Sequence, residues 1–478
     1  MASLKSSNTF YTGSTTSGQD PQHGLRRRHN FGDRVYKLAP QETPFFAYLN
    51  AVGKFPTDDP VFRVLEDRAP IKWADRSFNI QEQTATPNTA DSLKVESDDN
   101  GNWKWTKNSG SASDSIPVAA ANASELIVGM LIQVVDRTSE QPYQLTGRIS
   151  AVNSADIEVK TVKNSKGSDV DIAMGTDTVL SAQVIGTAFG EGTNAPTSFG
   201  YDIEDTFGYT QIFKTTAHMS NTAMATVMRG YASEWDRIWS LKLREHKIDI
   251  ERAMLFNNKG SVNGVQYSDG IVGHILSSGA TWVATDSTDL SYTSAKPYVR
   301  SVDIAPGGTA GNTEATYDRF LKDFEIIFAP ERGGADQKFV MASLPVVTYM
   351  NQLKNGFMSS SPDSGTMKYN LSFSDAEGGL GHKVMKIDTV HGSLAIVKNP
   401  LLKGGVGSSL MVGVDLDNVK YRPLVGNGIN RDTYIDTNVQ GVDEDARKDL
   451  ILTEAGLEVC MPESHFLYQF VSNGTPIG

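Results

Sequence analysis

Between Asn221 and Phe256 the chain has no proline and one glycine, Gly230, and its larger apolar side chains return at helical spacing. Met224, Met228, Tyr231, Trp235, Ile238, Trp239, His246 and Ile250 form one stripe, while Arg229, Glu234, Arg237, Arg244, Glu245, Lys247, Asp249 and Arg252 occupy the other faces. The pattern predicts one long helix over 221–256, which at 1.5 Å per residue spans about 50 Å. Upstream the period shortens. Leu126–Val135, Tyr143–Val152, Ile157–Val162 and Val179–Ile185 have strand composition and are separated by Gly, Asn, Ser and Asp. They predict a small β-domain, a barrel or sandwich, set into a longer β excursion. The outgoing strand of that excursion is Val61–Ile80 and its returning strand is Phe207–Phe213; Gln81–Ser115 is polar and rich in Asp, Ser and Asn.

Downstream, Tyr317–Phe328 predicts an amphipathic helix ended by Pro330. A strand follows at Lys338–Ala342, a helix at Leu344–Leu353, and a Ser/Gly/Asp loop at Phe357–Gly381. Val384–Val390, Ser393–Val397 and Leu410–Val414 read as strands, and Leu450–Phe470 as a strand pair punctuated by Gly456 and Pro462. At the other end, Met1 to Asn30 is rich in Ser, Thr, Gly and Gln with almost no apolar anchors, and is an arm that would not fold alone. Apolar residues return at Val35, Leu38, Pro44, Phe45, Phe46 and Leu49, so this stretch docks on something. The class is α+β.

A length of 478 residues implies two or three regions rather than one core. No stretch approaches the roughly 20 apolar residues of a membrane span, and the first residues do not read as a secretory signal. The single cysteine, Cys460, precludes an intramolecular disulfide and reads as a buried, small apolar side chain. Net charge is −12, which argues against a surface that wraps nucleic acid. The charge is uneven, however. Up to Pro40, Lys5, Arg26, Arg27, Arg28, Arg34 and Lys37 face only Asp20 and Asp33, so a basic arm hangs on an acidic body.

Candidate chemistry is sparse. The eight histidines show no metal-ligand spacing, and a lone cysteine cannot build a thiolate site. The glycine-rich stretches at 307–311, 378–383 and 404–409 place no Lys-Ser or Lys-Thr pair where a phosphate loop requires it, and read as flexible loops. No Gly-x-Ser-x-Gly elbow occurs, and Asp98-Asp99 lie in polar loop. No catalytic residue, cofactor or metal is expected. The Trp/Tyr/Met stripe of the long helix could line a ligand groove, but such stripes are far more often core or subunit contact; Met228, Tyr231, Trp235, Ile238 and Trp239 are the packing candidates.

The run from Phe207 (FGYTQIFK) through Val227 (VMRGYA) to Lys242–Phe256 (KLREHKIDIERAMLF) resembles the tailed-bacteriophage major capsid proteins of the Hong Kong 97 type. Thr43–Leu49 (TPFFAYL) and Phe62–Asp67 (FRVLED) are similar to that family's entry into its extended loop. The resemblance covers Val35 to Gly273 by motif and the rest by order of elements. It implies an N-terminal arm over 1–45 and an extended loop region over 46–215 with a β insertion at about 116–198. A peripheral domain over 216–328 follows, with its spine helix at about 221–256, then a mixed axial domain over 329–445 and a return to the peripheral domain over 446–478. The strands near Val61–Ile80 and Phe207–Phe213 would pair.

The implied function is a shell subunit that assembles with itself, as pentamers and hexamers, into an icosahedral capsid around the phage genome. No helical, charged segment precedes Val35, so a separate scaffolding protein is expected, with the portal and a decoration protein as further partners. Packaged DNA would meet the inner face without sequence specificity, no membrane is involved, and the particle is built in the host cytoplasm. Arg26, Arg27 and Arg28 would contact either DNA or an acidic neighbouring subunit. A tail or fibre protein is the alternative, and a carbohydrate-binding protein or depolymerase a weaker one. Deleting residues 1–30 should leave the melting temperature of the subunit unchanged while preventing closed shells, as scored by negative-stain electron microscopy.

Overall fold

The computed structural model describes residues 43–67, 77–80, 92–97, 103–108, 115–118, 123, 125–136, 143–153, 156–164, 170–173, 180–196, 198, 203–227, 233–278, 297–304, 313–314, 317–329, 332, 335–359, 373–377, 383–472 and 475–477. Nearly all of the expected arm, with Arg26, Arg27 and Arg28, lies outside these residues, as do Met228 and Tyr231.

Helix α1 (Pro44–Val52) begins with Pro44 in the first turn, where a missing N–H costs nothing. Strand β1 (Val61–Glu66) then pairs antiparallel with β11 (Glu204–Tyr209), Val61 opposite Tyr209 and Glu66 opposite Glu204. Between them lies a nine-stranded sheet. Its order is β2 (Ser77–Ile80), β10 (Leu180–Thr187), β6 (Met130–Asp136), β7 (Tyr143–Val152), β8 (Asp156–Asn164), β4 (Trp103–Asn108), β3 (Ser92–Ser97) and β9 (Val170–Ala173), with β5 (Ser115–Pro117) beside β8. Alternate residues fill its own core: Ile132 and Val134, Leu145 and Ile149, Ile157 and Val159, around a fully buried Trp105. Gly147 makes room for Trp105, because a Cβ there would lie 3.1 Å from the indole and 2.3 Å from Val159.

Two expectations are corrected here. The insertion sheet reaches outside 116–198, since β3 and β4 occupy the polar stretch 81–115, where Leu93, Val95 and Trp105 turn inward. The segment 61–80 is two strands rather than one: β1 belongs to the hairpin and β2 to the insertion.

The returning segment also divides. Thr210 separates β11 from β12 (Gln211–Ser220), which leaves the hairpin and pairs over ten residues with β26 (Ala446–Val459). The single helix expected over 221–256 is replaced by α2 (Asn221–Ala225) and α3 (Glu234–Phe256). Thr226 is already extended at φ −81°, ψ 127°, and Ser233 caps α3 by accepting from the Asp236 N–H. A Ser with an acidic residue three positions on is a helix start, which the continuous hydrophobic stripe concealed. At 23 residues α3 is about 35 Å long. The hairpin β13 (Gly260–Val262) and β14 (Val265–Tyr267) turns on Asn263-Gly264, both at positive φ, and leads into α4 (Ile271–Ser277).

The remaining strands form two larger sheets and a two-stranded one. β26 is flanked by β12 and β22 (Val419–Pro423), with β25 (Tyr434–Asp436) also on β26; β23 (Val425–Gly426) and β24 (Ile429–Asn430) make a second Asn-Gly hairpin at the side. A mixed nine-stranded sheet has the order β16 (Thr313–Glu314), β15 (Tyr298–Asp303), β27 (Phe466–Ser472), β21 (Leu410–Val414), β17 (Gln337–Ala342), β20 (Ser393–Lys398), β19 (Lys383–Asp388) and β18 (Phe373–Glu377), with β28 (Thr475–Pro476) on β27. The strand pair expected over 450–470 is β26 and β27, which lie in different sheets. β18 falls within the expected loop 357–381.

This sheet is buried on both faces. Phe339, Met341, Val412 and Leu467 pack against α1, α3 and α4, while Val340, Met411, Phe466 and Tyr468 face α5 (Tyr317–Ile327) and α6 (Leu344–Ser359). Near-continuous apolar strands such as LMVGV at 410–414 follow from burial on two sides. Gly413 is required beside Phe466, whose ring lies 2.0 Å from where a Cβ would stand. Replacing the fully buried Leu467 by Ala should cost about 2–5 kcal/mol, read as a lower midpoint in chemical denaturation.

Candidate assembly surface

The long helix is seated by polar groups as much as by its stripe. His246 Nδ1 lies 2.9 Å from Thr215 Oγ1 on β12 and its Nε2 2.8 Å from Thr453 Oγ1 on β26, so one imidazole spans two neighbouring strands. Burial lowers its pKa and favours the neutral ring. One turn further, the fully buried Glu251 reaches across to α1, accepting from the N–H of Phe45 and of Phe46, and from Asn399 Nδ2 at 2.8 Å. Burial pushes its carboxyl up to about 7.

The buried residues of α3 are His246, Ile250, Glu251, Met254 and Leu255, all in its C-terminal half. Of the predicted packing residues, Trp235, Ile238 and Trp239 are half-buried in the N-terminal half, with the Arg447 guanidinium 4.6 Å above the Trp235 ring. Sequence reasoning missed Glu251. Its only signal is position, since it lies one residue after Ile250 and one turn before Leu255, on the buried face.

The β1–β11 hairpin has two unlike faces. Its inner face lies against β22 and β26: Phe62 is buried over Gly208 and Gly456, and the Arg422 guanidinium stands 5.6 Å from its ring. Glu66, 2 % exposed, accepts from the N–H of Met461, which holds a left-handed φ of 48°. Two more carboxylates on this side of β26 are neutralised by pairing, Glu458 with Arg422 and Glu454 with Arg431. Cys460, half-buried rather than fully buried, is held by burial and by Glu458 and Glu66 as a thiol with its pKa up to about 12. Such a thiol is unreactive.

The outer face is open. Leu65 is 70 % exposed and Phe207 42 %, beside the Arg63–Asp205 ion pair at 3.0 Å, while Lys259 covers part of the Phe207 ring from 4.8 Å. This face therefore carries two exposed apolar side chains beside a paired charge. Among the described residues no three His, Cys, Asp or Glu side chains are placed to hold a metal ion, and no helix is long and apolar enough to cross a membrane.

Comparison with known families gives a match over nearly the whole chain: the model of the SU10 major capsid protein family matches residues 6–472. The chain belongs to that family. It is a bacteriophage major capsid protein, a structural component of the virion. No curated protein matches the sequence. Among solved structures, one titled Gordonia phage Cozz is similar over 98% of this chain and 100% of its own, at 12% identity and a TM-score of 0.38. The native gene-transfer-agent particle capsid ("Capsid of native GTA particle") is similar over 60% of this chain and 80% of its own, at 8% identity and 0.37. The mature capsid of bacteriophage PhiM1 covers 60% and 79%, at 10% identity and 0.37.

The capsid protein has a Hong Kong 97-like α+β fold in which β1 and β11 flank the insertion sheet and a 23-residue helix precedes the mixed sheet. Seating the excursion depends on Gly456, where a Cβ would lie 2.6 Å from the Tyr209 carbonyl oxygen and 2.7 Å from the Phe62 ring. Gly456→Ala should therefore lose about 1–3 kcal/mol, with faster proteolysis within residues 61–66 as the accompanying sign.

Proposed function

We propose that the capsid protein closes its shell by laying the outer face of the β1–β11 hairpin, with Leu65 and Phe207 at its centre, on a neighbouring copy. The observation that carries this is the contrast between the two faces of one hairpin: the inner is locked by Phe62, Glu66 and Gly456, and the outer leaves a large apolar side chain 70 % exposed. Burying such a side chain on association is worth about 1.5–3 kcal/mol, and a closed shell repeats the gain at every subunit.

Within this reading, residues 1–45 are an arm, 46–215 the extended loop region, 216–328 the peripheral domain, 329–445 the axial domain, and 446–478 the return. Subunits gather as pentamers and hexamers of an icosahedral shell, built in the host cytoplasm with a separate scaffolding protein and a portal, and a decoration protein is a candidate for the insertion sheet. The basic arm and acidic body suit a shell that meets packaged DNA without sequence specificity. Arg26, Arg27 and Arg28 serve as arm contacts, and Trp235, Ile238 and Trp239 as helix packing. The subunit performs no catalysis and takes no cofactor.

The test is Leu65→Glu in the full chain, expressed alone and with candidate scaffolding proteins. An unchanged melting temperature with no closed particles by negative-stain microscopy and sedimentation is the expected result. Normal shells from the variant would discard the hairpin as the contact.

A further inference from the structure

We propose that Glu251 is a proton-linked latch for α1, holding the helix that follows the N-terminal 43 residues when it carries a proton and loosening it when it ionises. The geometry is unusual for a helix start. Thr43, the residue before α1, makes no side-chain cap, so the first N–H groups of the helix find their acceptor on another element, about 200 positions along the chain. Phe45 N–H lies 3.4 Å from Glu251 Oε1, Phe46 N–H 3.3 Å from Oε2, and Asn399 Nδ2 2.8 Å from Oε1. α1 thus joins the core through one carboxyl and through Phe45 and Leu49, which are fully buried against α3 and the mixed sheet.

Among the described residues, the groups around Glu251 supply no counter-charge. α1 presents two amides and the phenol of Tyr48, which packs on Phe339 at 4.5 Å; the turn after β20 presents Asn399; β17 presents the Met341 sulfur, 3.8 Å from Asn399 Nδ2. Tyr421 on β22 meets Phe46 edge-on and donates its own hydroxyl to Asp432. On α3 itself Lys247, Asp249 and Arg252 point to solvent. Burial is the largest influence on Glu251 and raises its pKa from 4.5 to about 7, against the lowering effect of its three hydrogen bonds.

The sign follows from linkage. With the docked pKa above the released one, docking takes up a proton between pH 4.5 and about 7. The docking constant is greatest below pH 4.5, falls about tenfold per pH unit across that window, and levels off above it. Near neutral pH the latch sits at the upper edge of its range, where a small change in acidity or in the packing around Asn399 alters its hold. Release uncovers Phe45 and Leu49.

Hydrogen exchange of the full chain, read as protection factors for the amides of residues 46–49 between pH 5 and pH 8, tests this. In the wild type, protection should fall with rising pH and flatten above 7. Glu251→Gln, which keeps one acceptor oxygen and cannot ionise, should be flat over the same range. Asn399→Ala leaves Glu251 in place and removes a donor that favours its charged form, so the midpoint should move to higher pH. A pH-independent wild type, an unchanged slope in Glu251→Gln, or an unmoved midpoint in Asn399→Ala would each overturn the latch. None of these readouts depends on shell formation, so failure here is separable from failure of the hairpin contact.

Discussion

Backbone hydrogen bonding along β26 sets the positions of the other layers. Its edges are used by β12 over ten residues, by β22 over five and by β25 over three, and its last nine residues are all buried. Through Thr453 it takes the imidazole that seats α3, and through Gly456 it takes the ring that seats the β1–β11 hairpin. A strand bonded on both sides cannot slip by one residue without turning Ala455, Leu457 and Val459 out of the core. The register of β26 therefore fixes where the helix lies and where the hairpin leaves the body.

The polar groups enclosed around this frame add specificity at a cost in desolvation. Asp323 on α5 accepts from the hydroxyls of Tyr298 and Tyr468 and pairs with Arg300 and Arg319, all buried or nearly so on one face of the mixed sheet. Lys338, on the same face of its strand as Val340, donates to the Ser464 carbonyl, and burial brings its pKa down to about 8. Neighbouring His465, with its pKa near 3, stays neutral and accepts from the Asp415 N–H. Each such group is costly if its partner is lost. They accordingly permit one arrangement of sheet and helices where an apolar interior would tolerate several.

Much of this frame was legible in the chain. Period-2 runs such as Tyr143–Val152 and the amphipathic Tyr317–Phe328 correspond closely to β7 and α5 because each buries a single face and so leaves a clean alternation. The misreadings have physical causes. Phe207–Phe213 looks like one strand because Thr210, where the partner changes from β1 to β26, has no turn chemistry; its side chain is itself buried. The helix over 221–256 looked continuous because Ser233 and Asp236 are both compatible with a helix interior as well as with its start. Glu251 was invisible for a related reason: in sequence a glutamate on a helix is solvent-facing by default, and only the third dimension brings Asn399 and the end of α1 to it.

β26, the strand that joins β12 to β22, and β27, which joins β15 to β21 in the mixed sheet, both lie beyond residue 445. A ribosome releases the chain from its N-terminus, so β12 and β22, and β15 and β21, emerge before the strands that join them exist. The insertion sheet can fold early, since all of its strands lie between residues 77 and 187. The body cannot, because its contacts are long-range and close last. Synthesis thus imposes an order in which the nascent polypeptide cannot complete either sheet until β26 and β27 have been made.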